Sequence, residues 1–226
     1  MGVAPLRCGA CWSAMMGVVL VLSQVIVGVR DLHDATSRFR QLGFDVLDGG
    51  VHPGLGTANR VIPIGTQYLE LLGVVSPEQA QDNQYGRALM RATAQGDCLV
   101  RWSLRTDTID EVAMRLGICV EHRRRVRPDG ELLTWRAAGL DLALADATLP
   151  FFMQWDHDQQ YPGMMAAAHP NGARRVTALA VTPRDPARFR DWTEGADVPL
   201  RISNEPKPGL WRVVVETDRG ELPITG

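Results

Sequence analysis

Val25-Ile26-Val27-Gly28-Val29-Arg30-Asp31-Leu32-His33-Asp34-Ala35-Thr36-Ser37-Arg38-Phe39-Arg40-Gln41-Leu42-Gly43-Phe44 is the stretch on which the fold turns. It changes period at Asp31. The residues before it, Val18 to Val29, are rich in β-branched side chains and read as a buried strand. The residues after it place Leu32, Ala35, Phe39 and Leu42 at helical spacing, with Asp31 as N-cap and Gly43 as a left-handed stop. Phe44 to Leu47 then resumes as a strand, and Asp48-Gly49-Gly50 is expected to turn it. Arg60 to Ile64 and Gln67 to Val74 follow as two more strands around Gly65-Thr66, so the order is β-α-β-β-β.

The same order returns. Leu99 to Arg105 reads as a strand, and Asp107 is placed to cap a helix with Ile109, Val112, Ala113 and Leu116 on one face. Gly117 closes that helix as Gly43 closes the first. Ile118 to Val126 and Leu132 to Ala137 form a hairpin around Pro128-Asp129-Gly130, and Pro150 to Trp155 supplies the last strand. A third opening follows, with Val176 to Val181 as strand and a helix from Asp185-Pro186, closed by strands at Leu210–Glu216 and Glu221–Ile224. The fold class is therefore α+β: repeated β-α-β-β-β modules in a curved mixed sheet around a cleft. The expected division is an extension over 1–15, a first module with a connecting helix over 16–95, a second over 96–165 and a partial third over 166–226. Together they make one domain.

Composition narrows the function classes. The 226 residues suffice for a real core, and with 45% hydrophobic and 22% charged residues the chain reads as globular. A net charge of −2 offers no general attraction for nucleic acid. Arg123-Arg124-Arg125-Val126-Arg127 is locally basic but lies on a hairpin, and is expected to be a solvated face. Cys8-x-x-Cys11 lacks a second ligand pair for zinc, and Cys98 and Cys119 read as small core residues. The nearly uncharged run from Cys8 to Val29 could be a membrane span. Its interruption by Ser23 and Gln24, and the helix start that follows, favour a strand and a cytoplasmic protein. The translation start, at Met1, Met15 or Met16, is left open.

These modules, with Val-Ile-Val-Gly-Val-Arg-Asp-Leu at the first strand end, His52-Pro53-Gly54-Leu55-Gly56-Thr57-Ala58-Asn59, Tyr68-Leu69-Glu70-Leu71 and Phe151-Phe152-Met153-Gln154-Trp155-Asp156, resemble the glyoxalase-like family of the vicinal oxygen chelate superfamily. The resemblance covers roughly residues 22 to 225. It implies a cleft that, in metal-dependent members, holds a divalent ion on His and Glu from the first and last strands of each module. That ion binds vicinal oxygens of the substrate and stabilises an enolate or oxyanion. Glu70 stands where the first-module glutamate is expected, but Gln24 or Ser23 replaces a histidine. The second module offers Arg101, Trp102 and Ser103 on its first strand, and Gln154 or Asp156 on its last. One or two good ligands remain.

The cofactor expectation is therefore none, or a weakly held divalent cation with Glu70 as its metal ligand. Glu70 and His52 are the candidate catalytic residues, Glu70 alternatively pairing with Arg101. Gln24, Thr57, Asn59, Arg101, Trp102, Gln154, Trp155 and Asp156 are the candidate ligand-binding residues. Asp156-His157-Asp158 alternates faces as it leaves its strand and is not expected to form a metal site. Three readings result: a lyase, isomerase or dioxygenase acting on a small oxygenated metabolite, a metal-free sequestering protein of the antibiotic-resistance kind, and a membrane-anchored protein. The first two share a small-molecule partner and exclude nucleic acid and membrane, with a homodimer and catalysis itself left open.

Overall fold

The computed structural model describes residues 19–127, 130–157 and 159–225. The N-terminal extension, Cys8, Cys11, the tip of the Pro128-Asp129 turn and Asp158 lie outside the described residues. β1 (Leu20–Val29) is buried along almost its whole length, as its β-branched run requires. α1 (Leu32–Gln41) begins where Asp31 accepts a hydrogen bond from the backbone N–H of Asp34, and Gly43 ends it at φ 84°. β2 (Leu47–His52), β3 (Thr57–Ile64) and β4 (Gln67–Val74) complete the first unit. α2 (Pro77–Gln81) and α3 (Gln84–Ala92) carry the chain to β5 (Cys98–Arg105).

α4 (Ile109–Leu116), β6 (Val120–Val126), β7 (Leu132–Ala138), the short α5 (Leu140–Ala145) and β8 (Phe151–Trp155) form the second unit. β9 (Arg175–Thr182), α6 (Pro186–Trp192), β10 (Ala196–Asp197), β11 (Leu200–Ile202), β12 (Gly209–Thr217) and β13 (Gly220–Thr225) follow.

Strand order explains why a cleft exists. The main sheet runs β2-β3-β4-β1-β5-β8-β7-β6, with β10 beside the start of β1. β1 is parallel to β4, β5 is parallel to β8, and β1 meets β5 antiparallel. The two units thus abut at their first strands and extend outward in matching order. The sheet curls so far that its edges approach, and Arg125 on β6 reaches Asn59 on β3. One face is sealed by α1, α4, α6 and the small sheet β11-β9-β12-β13, through Val25, Val27, Leu69, Leu71, Trp102, Phe152, Leu179, Phe189 and Val213. The other is concave, and Ile26, Leu72, Leu89, Leu133, Phe151, Met153, Trp155 and Tyr161 cluster on it.

Four local expectations need correction. Asp48-Gly49-Gly50 is no turn: it lies inside β2, with a bulge between Asp48 and Gly50. A Cβ on Gly49 would stand 2.1 Å from the Asn59 side-chain oxygen, so the missing side chain makes room for that amide. Asp107 does not cap α4, where Thr108 is the N-cap residue and the Ile109 N–H is taken by Gln154. Cys119 is exposed, because it precedes the edge strand β6 and does not lie within the core. The third opening does not repeat the order of the first two, since β9 sits between β11 and β12 and pairs antiparallel with β12. Val18–Val29 was expected as strand, and Leu20–Val29 is one, in the centre of the main sheet. Among the described residues no helix is long and apolar enough to cross a membrane.

Candidate functional site

The concave face encloses a cavity of about 890 Å³, within the range of small-molecule sites. Side-chain alternation decides what enters it. On β1, Gln24 and Ile26 face inward. Their cross-strand partners are Tyr68 and Glu70 on β4, with Ser103 and Arg101 on β5. Two rows result, Tyr68–Gln24–Ser103 and Glu70–Ile26–Arg101, and all of their members but the fully buried Ser103 line the cavity.

Asn59 of β3 donates from Nδ2 to Glu70 Oε1 at 2.8 Å, in a buried hydrogen bond. Arg125 Nη1 donates to Asn59 Oδ1 at 3.0 Å. Only one orientation of the Asn59 amide can serve an acceptor on one side and a donor on the other, so the relay fixes the amide as well as the carboxylate. Among the described residues no group reaches the second oxygen of Glu70, which is left to the cavity. The ion pair with Arg101, one of the two alternatives open to Glu70, does not form. The alternate-strand geometry holds the two groups on opposite sides of Ile26.

Arg101 is the most unusual residue of the site. It is 7% exposed, and its Nε is buried without a hydrogen-bond partner. Burial lowers its pKa, and the nearby Glu70 and Tyr85 pull it back up. Tyr68 is wholly enclosed, and burial raises its pKa well above the usual phenol value, so it stays a neutral O–H donor. His52, at the end of β2, has Nδ1 2.9 Å from Thr57 Oγ1. Burial lowers its pKa, opposed by Glu70 and reinforced by Arg125, which keeps the ring neutral at physiological pH.

The apolar half of the cavity comes from the second unit. Phe151, Met153 and Trp155 of β8 face inward together with Leu133, Trp135 and Ala137 of β7. Trp155 lies 5.3 Å from Trp135 and stacks on Tyr161 at 5.6 Å and 14°. Its Nε1 is buried without a partner.

Of the residues expected from sequence, the structure brings Gln24, His52, Thr57, Asn59, Glu70, Arg101 and Trp155 to one cavity. It does not bring Trp102, Gln154 or Asp156. Trp102 is fully buried on the opposite face, with Nε1 donating to the Thr148 carbonyl at 3.1 Å. Gln154 also points away, accepting from the Ile109 N–H at 3.2 Å and from Arg136 at 2.8 Å. Asp156 accepts from Thr134 at an outer depression shared with His122 and Arg124.

Sequence reasoning missed Arg123 and Arg125, which it assigned to a solvated face. They lie opposite Trp135 and Leu133 in the hairpin and share the inward side with them. That pairing was the available signal. Arg123 contacts Tyr85, donating to its hydroxyl at 3.2 Å, and also pairs with Glu121.

A resident metal ion does not fit this donor set. Among the described residues no three His, Cys, Asp or Glu side chains converge. The position across from Glu70 is an arginine, and a cation there would share the cavity with Arg101, Arg123 and Arg125.

Residues 24–196 match the model of the family described as "Glyoxalase-like domain". A crystal structure of a hypothetical protein from Staphylococcus aureus superposes with TM-score 0.68 at 16% identity, over 89% of this chain and 92% of that one. The Mn(II)-bound glyoxalase from Novosphingobium aromaticivorans aligns more loosely, with TM-score 0.48, 11% identity and coverage of 89% and 81%. Methylmalonyl-CoA epimerase from Mycobacterium tuberculosis gives TM-score 0.42, 15% identity and coverage of 63% and 92%. No curated protein matches the chain in sequence.

Proposed function

The chain belongs to the glyoxalase-like domain family, and we propose that its cleft binds a small oxygenated molecule from which Glu70 takes a proton. The observation that carries this is the relay Arg125–Asn59–Glu70, which fixes one carboxylate oxygen and leaves the other facing the cavity. A base oriented in this way needs no reorganisation when substrate arrives. For a substrate with a C–H bond beside a carbonyl, the proton passes to the free oxygen of Glu70. The C–H electron pair forms the C=C bond of an enolate while the carbonyl π pair moves onto its oxygen, where the neutral Tyr68 O–H is available as donor. The chemistry is of the isomerase or lyase kind. A dioxygenase would require a metal ligand set that these side chains do not provide.

The test is exchange of substrate C–H for deuterium, followed by proton NMR in D2O over a panel of small 2-oxo and 2-hydroxy compounds. Wild type is expected to exchange at least one of them, and Glu70→Gln to lose that exchange while keeping its melting temperature. Exchange that survives in Glu70→Gln would overturn the assignment.

A second reading, sequestration without chemistry, is favoured by the continuous aromatic wall of Trp135, Trp155 and Tyr161. Tight binding of a panel compound with no exchange would select it.

A further inference from the structure

We infer that the ligand of this cleft is an organic acid, whose carboxylate docks on Arg101 and whose apolar body lies along Phe151, Met153, Trp135 and Trp155. The inference rests on the reading of the concave cavity as the ligand site, and it adds the chemical class of the ligand.

The first ground is the isolation of Arg101. A guanidinium carries five N–H donors and cannot readily give up its charge, so an arginine buried without acceptors is unfavourable to fold around. Arg101 is 93% buried by its 7% exposure, it lines the cavity, and among the described residues it has no hydrogen-bond or ion-pair partner. The inward arginines of the hairpin are already engaged: Arg125 with Asn59, Arg123 with Tyr85 and Glu121. Of these inward arginines, Arg101 alone has no hydrogen-bond partner among the described residues: its Nε is enclosed without an acceptor, and the side chain borders the cavity. A planar carboxylate matches the guanidinium fork.

The second ground is charge balance. Arg101, Arg123 and Arg125 face the cavity, and Glu121 pairs with Arg123, so among the described residues Glu70 is the one cavity carboxylate set against Arg101 and Arg125, an excess of one positive charge. A neutral ligand would leave that excess uncompensated and would remove water from Arg101 without replacing it. An anion supplies the missing acceptors.

The third ground is spacing. Glu70 and Arg101 are both register partners of Ile26, from β4 and β5 on its two sides. Two strand spacings put their backbones about 10 Å apart, with both side chains facing the cavity. An acid anchored on Arg101 therefore extends across Ile26 and presents the carbon next to its carboxylate on the Glu70 side. The apolar wall stands on the β7–β8 side of the cavity, so the rest of the ligand has a separate place to go.

The test uses a pair of probes that differ only in charge, phenylacetate and phenylacetamide, titrated calorimetrically and by ligand-observed NMR into the full chain. Wild type is expected to bind phenylacetate in the millimolar range or better and phenylacetamide about ten-fold or more weakly. Arg101→Met should reduce phenylacetate affinity to the level of the amide, and Arg101→Lys should restore part of it. Arg101→Met breaks no hydrogen bond of the fold, so its melting temperature is expected to hold or rise. A merely structural arginine would give a fall instead. Equal binding of acid and amide, or unchanged acid binding in Arg101→Met, overturns the inference while leaving the cleft and Glu70 untouched. Binding of neither probe to wild type overturns the inference and the reading of the cavity beneath it.

Discussion

Glu70 and Arg101 flank Ile26 from the strands on either side of β1, both buried and both facing inward, and they form no ion pair with each other. Opposite charges in a low-dielectric site attract strongly, so a fold that keeps them apart leaves room for something between them. Asn59 holds the carboxylate from the other side. The site is organised around this separation, and the predictions below probe what maintains it.

Asn59→Leu removes the one donor that Glu70 has among the described residues, and an acceptor of Arg125. The buried Glu70 and the half-buried Arg125 then lose partners, at a cost of about 1–3 kcal/mol in stability. Chemistry should suffer more than folding does. Proton exchange is expected to fall about 10- to 100-fold, because the base is no longer aimed. Parallel denaturant titration and exchange kinetics check both parts. Exchange at the wild-type rate would show that the relay does not position Glu70.

Gly49→Ala tests the bulge. The new Cβ would lie 2.1 Å from Asn59 Oδ1 and 2.7 Å from its backbone oxygen, so the strand pair itself must shift. A loss of about 1–3 kcal/mol is expected, with impaired exchange, since the amide that must move is the one that orients Glu70. Gly54→Ala is the contrast. Nothing lies within 4 Å of its Cβ, and it carries a strained φ of 74° without touching the relay. It should cost stability alone.

His52 gives a pH signature of definite sign. Burial holds its folded-state pKa below 6.5, so the unfolded chain binds the proton first. The contribution of neutral His52 to stability is complete above about pH 6.5 and is lost as pH falls through the folded-state pKa. His52→Gln should therefore show a shallower fall in melting temperature from pH 7 to pH 5 than wild type. Identical slopes would mean that His52 is not desolvated.

Trp102→Phe and Gln154→Ala should weaken the fold and spare the cleft. The first leaves the Thr148 carbonyl unpaired in the core, and the second removes the acceptor at the start of α4. Costs of about 2–3 and about 1 kcal/mol are expected. Phenylacetate titrations of the two variants should match wild type. A large loss of binding in Trp102→Phe would place that residue functionally at the cleft after all.

Most of the architecture was legible because periodicity and punctuation agree. The β-branched run before Asp31, the helical spacing of Ala35 and Phe39, and the stops at Gly43 and Gly117 each point to the same element boundaries. The site was less legible, for a reason visible in neighbouring residues. Arg101 and Trp102, Gln154 and Trp155, and Trp155 and Asp156 are adjacent on or at the ends of strands, and alternation admits only one of each pair to a given face. Register decides which, and register depends on partners far away in sequence. Gly49 illustrates the same limit. A Gly-Gly pair suggests a turn, and only the position of Asn59 shows that it is a close approach. Arg123 and Arg125 were hidden inside a basic run whose alternate members face opposite ways.

The most direct test of the account is a crystal structure grown with a mixture of small aromatic and aliphatic carboxylic acids. The account predicts an acid in the concave cavity, its carboxylate on the Arg101 guanidinium and its apolar body against Trp155 and Phe151, with Glu70 still bonded to Asn59. An empty cavity with acids bound only at the outer depression near His122 and Asp156, or an Arg101 turned to close an ion pair with Glu70, would contradict it.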